Sequence, residues 1–95
     1  MALEIALIDV VAGQEEAFEA AYREARRQLT AAGALSIRMT RGIETPTRFV
    51  LLVEWDSVET HEAFRAGEGF PIWRGLIGPH FANAPHVEHF NDVEG

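Results

Sequence analysis

At 95 residues the chain has room for one domain, residues 1–95 with a core over about 2–91, and its lack of cysteine excludes disulfides and thiolate metal sites. A formal charge of −7, from 15 acidic and 8 basic side chains, argues against a nucleic-acid partner, because Lys and Arg supply most of the affinity for phosphate. With 47% apolar residues the chain reads as globular, yet it has neither an apolar run of the roughly 18 residues a membrane span needs nor a secretory signal, so a soluble, cytoplasmic protein is expected.

Residues 3–11 read as a strand, with Leu3, Ile5 and Leu7 on one face and Glu4, Ala6 and Ile8 on the other. Both faces carry apolar residues, so both are expected to be covered. Ala12-Gly13 breaks the strand, and Gln14-Glu15-Glu16 opens a helix whose acidic first turn suits the helix dipole. Phe18, Ala21, Tyr22, Ala25 and Leu29 recur at helical spacing, which carries the helix to about Ala32, and Gly33 follows as the natural terminator.

Leu35, Ile37 and Met39 alternate with Ser36, Arg38 and Thr40 in a second strand. Arg41-Gly42 interrupts the alternation and reads as a bulge, before a hairpin connection at Glu44-Thr45-Pro46-Thr47. The third strand runs from Arg48 to Trp55, with Phe49, Leu51, Val53 and Trp55 on one face, and Val50 and Leu52 on the other place it inside the sheet. Asp56-Ser57-Val58-Glu59 has the form of a helix start, with Glu59 three residues after a capping Asp56. That helix carries Val58, His61, Phe64 and Arg65 and stops near Gly67-Glu68-Gly69. A short helix follows from about Phe70, with Pro71 suited to its first position, as far as Gly78-Pro79; a last strand covers Pro85 to Asn91.

Strand, helix, strand, strand, helix, strand is the order of a ferredoxin-like α+β fold, a four-stranded antiparallel sheet with its helices on one face. The face left open is apolar in the first and third strands, which calls for a partner. Two such sheets facing each other would make a homodimeric α+β barrel.

No Gly-rich phosphate loop, dinucleotide fingerprint or cysteine nucleophile is present, so no nucleotide cofactor is expected. The four histidines, His61, His80, His86 and His89, lack the spacing of a chelating pair; His86 and His89 fall on opposite faces of one strand. They read as scattered surface or loop residues, and no metal is expected. Trp55, Phe64, Phe70, Trp73 and Phe81 gather in the second half. Their plain role is packing; together they would also suit a cavity for a small planar aromatic ligand, with His61 and Arg74 as its polar groups. An arginine beside such a cavity suits an enolate or phenolate oxygen, and Arg74 equally suits a rim position paired with a carboxylate.

Trp55-Asp56-Ser57, His61, Phe64-Arg65, Phe70, Trp73-Arg74, Leu76-Ile77, Gly78-Pro79, Phe81 and Val87-Glu88-His89-Phe90, taken as a series, resemble the antibiotic biosynthesis monooxygenase family of small dimeric α+β barrels. The resemblance covers nearly the whole chain in element order, with its specific residues between 55 and 90. It implies a cofactor-independent monooxygenase that lets a polycyclic phenol or anthrone ionise and pass electrons to molecular oxygen. By position it implies substrate contacts for Trp55, Phe64 and Trp73, an acid/base role for His61 where a quinone-forming member has Tyr, and anion stabilisation by Arg74. Where that member has an Asn, this chain has Leu51, which removes one polar contact. Haem-degrading relatives offer a second reading, but they use an Asn on the first strand, where Glu4 and Asp9 stand here, and an iron-ligating His where this chain has Trp73. A ligand-binding barrel of the same fold without turnover is the third.

Overall fold

A computed structural model describes residues 1–95. Its elements are β1 (Ala2–Asp9), α1 (Glu15–Ala31), β2 (Ser36–Arg41), β3 (Arg48–Trp55), α2 (Val58–Ala66), α3 (Gly69–Ile77), a single 3-10 turn (Gly78–His80) and β4 (His86–Phe90). The strands form one antiparallel sheet in the order β2-β3-β1-β4, so the most apolar strands, β1 and β3, are central and β2 and β4 are edges. This is the expected ferredoxin-like α+β fold.

The register assigns every sheet side chain to a face. On β1, Ala2, Glu4, Ala6 and Ile8 are buried beneath the helices, and their neighbours on β3 are Phe49, Leu51, Val53 and Trp55, also buried. Leu3, Ile5, Leu7, Val50 and Leu52 point the other way and are half-buried. The core is therefore one-sided, a single cluster between the sheet and the stripe Phe18, Tyr22, Ala25 and Leu29 of α1, completed by Phe64, Trp73 and Ile77. Phe18 is at its centre, 4.7 Å ring to ring from Phe49.

Three local expectations are corrected. The Arg41-Gly42 bulge is absent: β2 pairs residue for residue with β3 from Ser36↔Glu54 to Arg41↔Phe49. Gly42 instead starts the turn, where a Cβ would collide with the carbonyl oxygen of Thr45. Arg41 braces that turn, donating to Pro46 O at 2.7 Å and pairing with Glu19 of α1 at 3.1 Å. Next, Ser57 rather than Asp56 caps α2, its hydroxyl accepting from Thr60 N at 3.2 Å. Trp55 is still paired in the sheet with Ala2, so the chain needs Asp56 to turn before an N-cap can form. Last, α3 starts one residue early at Gly69, which puts Pro71 at the third helical position rather than the first. Proline is tolerated there because the first-turn N–H groups have no helical acceptor.

Phe18 is fully buried, so Phe18→Ala should lower unfolding free energy by about 3–5 kcal/mol. Urea denaturation followed by circular dichroism checks this; a loss below about 1 kcal/mol would mean the sheet–α1 core is not the main source of stability.

Candidate functional site

A carboxylate stands on the covered face of the central strand. Glu4 is 5% exposed. Its neighbours across the ladder are Val53 on β3 and His89 on β4, and Trp55 lies two residues along β3 on the same face. The indole Nε1 of Trp55 donates to Glu4 Oε1 at 3.0 Å. The same oxygen is 3.3 Å from Nε2 of His61, which α2 lowers onto the sheet. The other ring nitrogen of His61, Nδ1, is 2.7 Å from Nε2 of His89. Glu4 is thus within ion-pair distance of His61 and His61 is hydrogen-bonded to His89, which itself faces Glu4 across the ladder, and no buried side-chain polar atom is left without a partner.

Stacking holds His61 in place. Its ring lies 5.0 Å from that of Trp55 at 15°, and Phe64, one turn further along α2, continues the stack at 5.9 Å from Trp55. Ser57 fixes where α2 begins, so it also fixes the height of His61 above Glu4. Burial and the positive neighbours His89 and Arg65 depress the His61 pKa from 6.5 to about 4, which leaves the ring neutral at pH 7. Burial likewise pushes the Glu4 carboxyl above its ordinary range, against the opposing effects of the Trp55 hydrogen bond and the Arg65 charge.

Beside this array is a cavity of about 50 Å³. Buried Glu4 and His61 supply its inner polar surface, Ala6, Leu51, Phe64 and Trp73 its apolar wall, and exposed Arg65 and Arg74 its outer side. The Arg74 guanidinium covers the rings of Phe81 and Phe70 at 5.3 and 5.7 Å. The space suits a molecule of a few atoms; drug-sized ligands occupy several hundred cubic ångströms.

The structure places His61, Arg74, Phe64 and Trp73 around one cavity. Trp55 is fully buried behind His61 and does not line the cavity. The reading of the histidines as scattered surface or loop residues is overturned for His61 and His89, which bond to each other; His80 is in the 3-10 turn, where it bonds Gln14 at 2.9 Å. His86 is on the outer face beside Glu88. Two members of the array, Glu4 and His89, were not among the expected site residues. The signal for Glu4 was visible, a lone acid among Ala2, Ala6 and Ile8 on one face of an apolar strand. His89 had no such signal, because its partner is set by the β1–β4 register. No group of three His, Cys, Asp or Glu is disposed to hold a metal ion.

A family model described as antibiotic biosynthesis monooxygenase matches residues 1–92. The uncharacterized protein YczJ of Bacillus subtilis is 33% identical over 95 residues, a match spanning 98% of this chain and 100% of that protein. A crystal structure from Bordetella bronchiseptica, bearing the same family's name, superposes with a TM-score of 0.94 at 39% identity, over 98% of this chain and 97% of that one. A Nitrosomonas europaea structure of like name gives 0.83 at 20% identity, over 99% and 100% of the two chains, a likeness of fold.

The depressed His61 pKa makes stability depend on acid. Below pH 6.5 the unfolded chain protonates His61 while the folded chain does not, so stability falls from there until about pH 4, by about 2–3 kcal/mol from this group. Glu4 acts in the opposite sense, because its raised pKa lets the folded state keep a proton the unfolded state has released. Urea midpoints at pH 7 and 4.5 should therefore differ less in His61→Gln than in the wild type; equal differences would mean that His61 titrates normally.

Proposed function

Because the chain belongs to the antibiotic biosynthesis monooxygenase family, we propose that it is a cofactor-independent monooxygenase acting on a planar aromatic, quinol-like substrate with molecular oxygen. The observation that carries this reading is the neutral, buried His61, hydrogen-bonded through Nδ1 to His89, with Nε2 3.3 Å from the Glu4 carboxyl, and lining an apolar cavity edged by arginine. A neutral imidazole in a dry site is a competent proton acceptor at pH 7, receiving the substrate's proton through the Glu4 carboxyl that lines the same cavity. Arg74, cationic at every relevant pH, stabilises the enolate or phenolate left behind. The electron-rich anion then reduces oxygen: a ring CH₂ becomes C=O, one oxygen atom enters the product and the other leaves as water.

Phe64 and Trp73 flank the substrate in this reading, and Trp55 serves from behind by stacking on His61 and holding Glu4. A ring system needs more space than about 50 Å³. Its entry requires the Arg74–Phe81 edge to move, and Arg74 is exposed and held there by ring contacts alone. A haem-degrading role fits the residues less well, because Trp73 is buried against Tyr22, 6.4 Å ring to ring, where those relatives place an iron ligand. Against a binding-only barrel, His61 is buried in the cavity, while Arg74 is exposed at its edge.

The same reading makes the protein a homodimer. Leu3, Ile5, Leu7, Val50 and Leu52 form an apolar stripe on the open face, bordered by Arg38, Glu54, His86 and Glu88, and a second copy facing it would complete the barrel.

Oxygen uptake with anthrones and naphthalene-type hydroquinones, with no flavin, nicotinamide or metal added, tests the activity. His61→Gln and Arg74→Ala should each lower kcat on the order of a hundredfold. Arg74→Ala should change stability by no more than about 1 kcal/mol, the worth of an exposed cation–π contact. Uptake at the uncatalysed rate with every compound would withdraw the oxygenase reading in favour of a ligand-binding barrel. For the assembly, sedimentation should show a wild-type dimer that Leu52→Arg converts to monomer; a monomeric wild type would overturn it.

A further inference from the structure

We propose that Glu4, His61 and His89 form a proton relay that connects the cavity to solvent at the edge of the sheet, with Glu4 and His89 as its inner and outer ends. The proposal deepens the oxygenase reading and rests on it for the source of the proton. Its basis is geometric. Glu4 and His61 line the cavity and are buried, while His89 is half-buried on the edge strand β4 and borders open solvent. Successive gaps are 3.3 Å from Glu4 Oε1 to His61 Nε2 and 2.7 Å from His61 Nδ1 to His89 Nε2. Each imidazole has two nitrogens at opposite ends of its ring, so it can accept a proton at one while releasing another.

The structure also shows that this is more than a way of satisfying a buried carboxylate. Trp55 alone already gives Glu4 Oε1 a donor at 3.0 Å. A hydrophobic residue at position 89 would leave Glu4 with both Trp55 and His61. His89 faces Glu4 across the β1–β4 ladder but makes no hydrogen bond to it; its bond is to His61, and it stands on the edge strand. Arg65 is the charged group beside the array, disfavouring a resident proton on His61 so that a proton arriving there is passed on.

The bonds balance as follows. In the outward direction the substrate's proton goes to the Glu4 carboxyl, and the carboxyl's own proton goes to His61 Nε2. The proton on His61 Nδ1 moves to His89 Nε2, and the proton on His89 Nδ1 goes to water. One proton leaves the site, and both rings exchange tautomers. Reduction of oxygen to water then consumes protons; the same path run inward returns one and restores both tautomers.

The deciding experiment compares wild-type protein with His89→Gln. Glutamine can accept the hydrogen bond from His61 Nδ1 but cannot release a proton outward, so a merely structural bond would be rescued and a relay would not. Exchange of the His61 ring N–H with water, measured by ¹⁵N NMR, should slow about tenfold or more in His89→Gln, and kcat for oxygen uptake should fall similarly with KM unchanged. An unchanged exchange rate overturns the relay. If His89→Gln does not fold, ring ¹⁵N shifts of the wild type decide the matter. A shared N–H between His61 and His89 supports the relay, and two rings titrating independently overturn it. The exchange measurement decides the relay whether or not any compound is oxidised, and oxygen uptake decides the oxygenase reading.

Discussion

A carboxylate cannot be buried in an apolar sheet face without partners, and the arrangement around Glu4 is the set of partners. Removing an ionised carboxyl from water costs several kcal/mol unless hydrogen bonds or a proton compensate. Glu4 has a donor from Trp55 at 3.0 Å and His61 at 3.3 Å, and burial still holds its pKa above the ordinary range. Each partner in turn fixes a larger element. Trp55 is the last residue of β3, and its indole reaches Glu4 only with β1 and β3 in the observed register. His61 reaches it only with α2 beginning where Ser57 caps it. The polar array and the fold around it specify each other.

The sheet divides the protein's tasks between its faces. The covered face carries the core, the array and the cavity, all within the reach of α1, α2 and α3. The open face carries an aliphatic stripe, Leu3, Ile5, Leu7, Val50 and Leu52, bordered by Arg38, Glu54, His86 and Glu88. In a chain of this length, burying that second face adds apolar area that one core cannot supply.

Much of this was legible in the residues. Alternation placed β1 and β3 and sorted their side chains to the right faces, since a period of two needs no knowledge of neighbours. The Phe18–Leu29 stripe and Gly33, which has φ of 102°, gave α1 its length. Failures came where local signals compete. Asp56 and Ser57 are both good caps, and the pairing of Trp55 with Ala2 decided between them. Arg41-Gly42 looked like a bulge because glycine serves both bulges and turns, and only the approach of the Thr45 carbonyl separates the two. Trp55 was expected beside a ligand because an aromatic residue reads alike whether it lines a cavity or supports its wall.

The sequence by itself determined the order of elements, the two faces of the sheet and the family, because these depend on periodicity and on residue series within short windows. It also brought His61, Phe64, Trp73 and Arg74 to one place, because α2 and α3 are consecutive and pack on the same face. Only the tertiary structure decided that Glu4, His61 and His89 touch. Those residues are far apart in the chain, and their contact needs the β1–β4 register and the height of α2 together. A shift of one residue in that register would turn His89 to the opposite face and end the array at His61.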